Sequence, residues 1–156
     1  MAGMIAVIRQ ARIGDERELA QMRASLWPDA SVEEHLREAE AVLAGRATGT
    51  LPNTILVSQG DGEALSGFLE VGLRSHADGC DTQHPVGFIE GWYVREPFRG
   101  RGVGRELMKA AEDWARGQGC REMASDALID NQESHSAHSA LGFEVVDRCV
   151  HFKKSL

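Results

Sequence analysis

The sequence predicts an α/β fold of the α+β kind: one mixed, mostly antiparallel sheet with helices on both of its faces. Three observations carry this. Segments of strand and helix period follow one another in the order β-α-α-β-β-β-α-β-α-β. Asp61-Gly62 between two strand-like runs marks a hairpin, which makes that pair antiparallel. An apolar strand, a glycine turn and an amphipathic helix then follow without a break from Phe88 to Arg116. At 156 residues the chain has the length of a single domain with room for a sizeable core. No repeat, low-complexity tract or linker interrupts it.

Ile5 to Ala11 reads as a short strand. Asp15, with Glu18 three residues on, is a carboxylate version of a capping box and opens a helix whose apolar face is Leu19, Met22 and Leu26. Pro28 stops that helix, and Trp27-Pro28-Asp29 forms an elbow carrying a large flat side chain. Ser31 and Glu34 form a second capping box, followed by a stripe of Val32, Leu36, Ala39 and Leu43 that ends near Gly45. Asn53 to Ser58 and Leu65 to Leu73 are the hairpin strands. His76 to His84 is a polar loop containing Asp78 and Asp81. Phe88 to Val94 is the central strand, ended by Pro97, which denies a ladder its donor. The helix after it buries Val103, Leu107, Met108, Ala111, Trp114 and Ala115. Arg121 to Ser125 is a short strand with Asp126 at its tip. A helix capped by Asp130 or Asn131 runs through Leu141, and Glu144 to Lys153 reads as a last strand.

Arg99-Gly100-Arg101-Gly102-Val103-Gly104 is the stretch with chemistry in it. A helix start has unpaired N–H donors and a partial positive charge, glycines let an anion approach the backbone, and arginines add full charges. A Walker-type loop needs Gly-Lys-Ser/Thr, whereas this turn ends Gly-Val-Gly-Arg. A dinucleotide turn spaces its glycines one residue wider and needs a second βαβ unit behind it. The third pattern, Arg/Gln-x-x-Gly-x-Gly/Ala between strand and helix, fits Arg99, Gly102 and Gly104. An αβ turn with no ligand is the other reading of the same residues.

Composition excludes several classes. A net charge of −7 argues against a nucleic-acid backbone as partner and favours a cationic one, although acidity also serves solubility. No apolar run approaches a membrane span, and Met1 to Ile8 lacks the features of a signal peptide. Cys80, Cys120 and Cys149 are scattered and odd in number, as in a reduced cytoplasmic protein without disulfides or a zinc site. His135 and His138 have no third ligand in spacing, so no metal is expected.

The third turn pattern resembles the acetyl-CoA pyrophosphate loop of the GCN5-related N-acetyltransferase (GNAT) superfamily. That family's last signature, Asn-x-x-Ala-x-x-x-Tyr-x-x-x-Gly-Phe, appears as Asn131-Gln-Glu-Ser-His-Ser-Ala-His138-Ser-Ala-Leu-Gly142-Phe143. The element order matches as well, so the resemblance covers nearly all of residues 1–156 as one acetyltransferase domain. Leu26-Trp27-Pro28, Gly79-Cys80-Asp81, Ile89-Glu90-Gly91, Gly119 to Asp126 and Ala140 to Glu144 are similar to the aminoglycoside 6′-N-acetyltransferases, which are typically dimers. The resemblance implies direct transfer from acetyl-CoA to an amine in a ternary complex, without metal and without a covalent enzyme intermediate.

It also implies roles. Arg99, Arg101, Gly102, Val103, Gly104 and Arg105, with Asn131, belong to the coenzyme. Trp92, Tyr93 and Val94 offer backbone groups to its pantetheine arm as in β-augmentation, and the Val94 N–H faces the developing oxyanion. Glu90, with Phe88 and Trp92 as same-side neighbours by period two unless a bulge intervenes, is a base for the ammonium group, and Asp126 is its rival. Asp81, Glu90, Asp126 and Asp147 suit a polycationic sugar, each close pair being worth ~1.5–3 kcal/mol. Trp27 suits a sugar face. His138 stands where the family carries a tyrosine as acid for the departing thiolate. Structural readings stand beside these: a salt bridge for Glu90, a core plug for Trp27, a packed histidine for His138 and a surface charge for Asp147. Two further functions remain open at this point. One is acetylation of a polyamine or protein N-terminus, and the other is a CoA-binding module without turnover.

Overall fold

The computed structural model describes residues 6–46, 51–62 and 64–156. Its sheet has five strands in the order β1 (Val7–Gln10), β2 (Asn53–Gln59), β3 (Leu65–Arg74), β4 (Val86–Val94) and β5 (Met123–Ser125). The first four pair antiparallel and β5 pairs parallel to β4. Helices α1 (Glu16–Leu26) and α2 (Val32–Leu43) cover one face, where Leu19, Met22, Ala39, Ile55, Val57 and Phe68 form one core cluster. Helix α3 (Val103–Gly117) covers the other, where Val103, Leu107, Met108 and Ala111 pack on Leu56, Leu69, Val71 and Ile89. Helix α4 (Gln132–Ala140) lies on the α3 side of the sheet, since the residues after it, Leu141 and Phe143, pack on that second cluster. The mixed sheet with helices on both faces is as the sequence predicts.

The local signals fare unevenly. Ser31 and Glu34 make the full capping box: Ser31 Oγ accepts from Glu34 N–H at 3.2 Å and Glu34 accepts from Ser31 N–H at 2.8 Å. The buried stripe of α2 is rotated, however. His35 and Ala39 are buried and Val32 is exposed, because His35 donates from Nε2 to the Trp27 carbonyl at 3.0 Å and so locks the elbow to the helix. Asp15 does not cap α1. Its carboxylate accepts from Arg9 at 2.7 and 3.0 Å and from Arg12 N–H at 2.8 Å. Glu18 is likewise spent elsewhere, accepting from Leu65 N–H at 3.0 Å. An ion pair in reach outcompetes the cap for the same oxygens.

The last predicted strand, Glu144 to Lys153, pairs with no strand among the described residues. Residues 144–156 follow α4 without helix or strand and carry no ladder among the described residues. Val145, Val146, Val150 and Phe152 stand 65% or more exposed along it. Val146 packs on Gly79, whose φ is +75° and where a Cβ would meet it at 2.8 Å. Ile5 of the predicted first strand lies outside the described residues.

Candidate active site

β4 carries an extra residue. Gly91 pairs with Glu70 and Ile89 pairs with Val71, so Glu90 is a bulge between them. The bulge breaks the period of two. Ile89 and Trp92 both belong to the α3 face, whereas Phe88, Glu90 and Gly91 turn to the other. Glu90 lines a hollow of about 120 Å³ with Val42, Ile55 and Glu70. Phe88 therefore remains a same-side neighbour of Glu90 and Trp92 does not.

The two central strands part at the end of β5. The parallel ladder runs Gly87–Met123, Phe88–Ala124, Ile89–Ser125 and stops. Beyond it β4 continues to Val94 with one edge open. Arg95 N–H donates to the Ser66 carbonyl at 2.8 Å, which makes the next pair, Gly67 and Val94, a non-hydrogen-bonded one. By alternation the N–H groups of Trp92 and Val94 point away from β3, into the gap. The backbone of Tyr93 is spent on Phe68, and its ring packs towards the α1 side. Of the expected triplet, Trp92 and Val94 face the fork and Tyr93 does not.

The open edge leads into the start of α3 through a 3₁₀ turn at Glu96–Phe98. Gly100 and Gly102 have φ of +74° and +83°, conformations that need glycine. Gly104 serves a different purpose. A Cβ there would lie 3.2 Å from the Trp92 ring, whose Nε1 donates to the Gly104 carbonyl at 3.2 Å. No side chain caps α3, and its first backbone bond is Glu106 N–H to the Gly102 carbonyl at 3.0 Å. The N–H groups of Val103, Gly104 and Arg105 are left for a ligand. Arg101 and Arg105 are exposed beside them. Arg99 is turned back: its Nε donates to the Val94 carbonyl at 2.8 Å, its guanidinium lies 5.6 Å from the centre of the Tyr93 ring, and Glu133 stands 3.9 Å away. Asn131 caps α4, accepting from Ser134 N–H at 3.0 Å.

Glu90 and Asp126 flank the fork, Glu90 directly after Ile89 on β4 and Asp126 directly after the end of β5. Both oxygens of Glu90 accept from Arg74, at 2.9 to 3.1 Å, and the Arg74 guanidinium lies 3.4 Å from the centre of the Phe88 ring. Asp126, directly after Ser125, is exposed and makes no ion pair among the described residues. Asp81 is not brought to the fork. Its carboxylate is committed to its own loop, accepting from Gln83 N–H and bonded to His84, each at 2.8 Å, and these bonds hold it below the usual carboxylate range. Its own N–H donates to Glu122, at the opposite end of β5 from Ser125. Asp147 lies on the tail after α4 and accepts from Arg148 N–H at 2.7 Å.

Trp27 is half-buried in the α1 cluster, in edge contact with Phe68, with Arg23 5.0 Å from its ring centre. The Cζ2–Cη2 edge of its ring abuts Gly91, where a Cβ would come within 2.6 Å. Trp27 is thus both a packing residue and a wall beside Glu90. Arg23, paired with Glu70 and Glu38, was not legible as part of this wall from the sequence. His138 is held in the α3-side half of the fork by Trp92, Phe143, Ser134 and Ser125. Ser125 is the site residue that sequence reasoning missed, a lone serine at a strand end giving no signal. A larger hollow of about 370 Å³ lies between α1 and the Tyr93–Phe98 turn. Among the described residues no three His, Cys, Asp or Glu side chains cluster as metal ligands, and no helix is long and apolar enough to cross a membrane.

The sequence model of the Acetyltransferase (GNAT) family matches residues 18–143. Aminoglycoside N(6′)-acetyltransferase type 1 of Stenotrophomonas maltophilia is 43% identical, over 100% of this chain and 97% of its own. Its counterpart from Klebsiella aerogenes is also 43% identical, over 96% of this chain and 97% of its own. Among solved structures, aminoglycoside N-acetyltransferase AAC(6′)-Iy in complex with CoA superposes with a TM-score of 0.86 at 33% identity, over 99% of this chain and 97% of that one. The same enzyme in complex with the bisubstrate analog CoA-S-monomethyl-acetylneamine gives 0.84 at 34% identity, over 97% and 99%.

Proposed function

The chain belongs to the acetyltransferase (GNAT) family, and we propose that it transfers the acetyl group of acetyl-CoA to the 6′-amine of an aminoglycoside by direct attack in a ternary complex. The observation that carries the reading is two sets of unused backbone donors, one on the open edge at Trp92 and Val94 and one at the uncapped start of α3. A pantetheine arm fits the first set and a diphosphate the second. Val103, Gly104 and Arg105 bind the diphosphate through N–H groups, with Arg101 and Arg105 as charge partners. Arg99 braces the turn by holding the Val94 carbonyl. The Trp92 N–H, the first open donor beyond the end of β5, takes the oxyanion in place of Val94, whose N–H lies two residues further along and serves the pantetheine arm.

The acceptor sits on the Trp27 and Glu90 side of the fork. Asp126 is the base, acting directly or through a water, because its carboxylate is free where that of Glu90 is held by Arg74. Glu90 then contributes charge and position. CoA release measured over an acceptor panel containing kanamycin and tobramycin tests the reading. Turnover with 6′-amino aminoglycosides is expected, and none with any of them overturns it.

We further take residues 1–156 as one domain working as a homodimer in the cytoplasm. The exposed apolar residues of 144–156 support the dimer, since a second copy of this chain supplies the cover that Val145, Val150 and Phe152 lack. Sedimentation of the full chain is expected to give a dimer, and of a chain ending at Phe143 a monomer. A full-length monomer at all concentrations refutes the assignment. Three free cysteines fit a reducing compartment.

A further inference from the structure

Ser125, the last residue of β5, stands opposite Ile89 where the two strands part. Its hydroxyl oxygen is 2.8 Å from His138 Nε2. On the far side of that ring, Nδ1 is 2.7 Å from the Ser134 carbonyl, with Ser134 Oγ at 3.3 Å. A carbonyl oxygen only accepts, so Nδ1 carries a proton and donates it. In the neutral ring Nε2 is then a lone pair, and Ser125 donates to it. The ring is fixed edge-on between Trp92 and Phe143, each 5.3 Å away between ring centres. Trp92 is itself tied to the Gly104 carbonyl, so the ring is keyed to the start of α3. A half-buried hydroxyl whose own proton is drawn into a fixed imidazole is built to accept one proton while passing on another.

We propose that Ser125 and His138 form a proton relay carrying the second proton of the transfer from nitrogen to sulfur. The proposal rests on the acyl-transfer reading above. An ammonium group and a thioester give an amide, a thiol and one free proton, so nitrogen gives up two protons in all. The first leaves before attack, to Asp126 or water. The second leaves only once the C–N bond has formed, and one proton must finish on sulfur.

In the tetrahedral intermediate nitrogen and sulfur are bonded to the same carbon, so one hydroxyl at the fork serves both. The nitrogen passes its proton to Ser125 Oγ while the Ser125 hydroxyl proton moves to Nε2. The imidazolium then donates on both sides, to Ser134 and to Ser125. The C–S bond breaks with its electron pair on sulfur. Ser125 protonates the sulfur and is refilled from Nε2. The pair ends as it began, with no outside acid and no bond from Ser125 to carbon. Ser125 is the catalytic residue and His138 the positioning residue that stores the proton.

The test uses the full-length enzyme and two acceptors, an aminoglycoside and hydroxylamine at high concentration. Hydroxylamine is a small neutral amine that needs no sugar site. Ser125→Ala is expected to lower kcat about 100-fold with both acceptors, the usual scale of one proton-transfer catalyst, while the Kd of CoA from calorimetry holds within about twofold. Ser125→Thr restores most of the rate. His138→Gln costs about as much as Ser125→Ala, and the double variant no more than either, because the two residues act as one device. A wild-type rate with hydroxylamine no faster than the uncatalysed reaction overturns the relay. So does a near-normal rate for Ser125→Ala, losses that multiply in the double variant, or a CoA affinity that falls in step with the rate. Acetyl-Ser125 found by mass spectrometry overturns it by making Ser125 a nucleophile. Transfer to hydroxylamine with none to any aminoglycoside refutes the acceptor assignment and leaves the relay standing. If His138→Gln does not fold, Ser125→Ala decides alone, since it removes only a hydroxyl.

Discussion

Gly91→Ala is the most direct test of how the acceptor side is built. A methyl group on Gly91 would lie 2.6 Å from Trp27 Cη2, 2.7 Å from Cζ2 and 3.3 Å from Leu26 Cδ2. Carbon atoms settle at about 3.5–4.0 Å, so the indole must withdraw by about 1 Å. It has little room to do so. Phe68 meets its edge, Arg23 lies 5.0 Å from its ring centre, and His35 holds the Trp27 carbonyl. Overpacking of this kind costs about 1–3 kcal/mol. For a chain of this length that lowers Tm by roughly 2–12 °C, at about 2–4 °C per kcal/mol. Thermal unfolding followed by circular dichroism measures it, with tryptophan fluorescence reporting the ring. Trp27→Phe removes the two clashing atoms, so the double variant is expected to lose at least about 0.5 kcal/mol less than the sum of the single variants. Strict additivity, or an unchanged Tm for Gly91→Ala, would refute this account of the wall beside Glu90.

Two further outcomes follow from the charges. Arg101→Ala and Arg105→Ala should each weaken CoA binding about three- to tenfold by calorimetry at low salt, with the difference shrinking as salt is added, because both side chains are exposed. Asp15 responds to pH. Burial pushes its carboxyl up, but the hydrogen bonds from Arg9 and Arg12 outweigh this and hold it below the usual carboxylate range. Its stabilisation is therefore present above about pH 4, the unfolded value, and is lost as pH falls through the lower folded value. In urea titrations Asp15→Asn should be less stable than the parent at pH 7, and the gap should narrow below about pH 4.

The helices and the glycine turn were legible because their signals are local. The apolar face of α3 and the Ser31 capping box depend on residues within one or two turns of each other. What the sequence could not convey were choices between partners. Asp15 has the look of a cap, but Arg9 on β1 takes its oxygens. Glu90 sits in an apolar strand as a base would, yet Arg74 lies across the ladder from it and binds both oxygens. The bulge shifts side-chain parity by one, and nothing in Ile89-Glu90-Gly91-Trp92 announces it. Residues 144–153 have the composition of a strand, but a strand also needs an edge to pair with.

The bulge at Glu90 has a kinetic corollary. Because the strand changes its facing there, Trp92 looks towards α3 and α4, while Gly91 and Glu90 look towards α1 and α2. Coenzyme and sugar would then load through separate doors on opposite sides of one wall and meet only at the slit where β5 stops. Neither would need to wait for the other, and either could depart first.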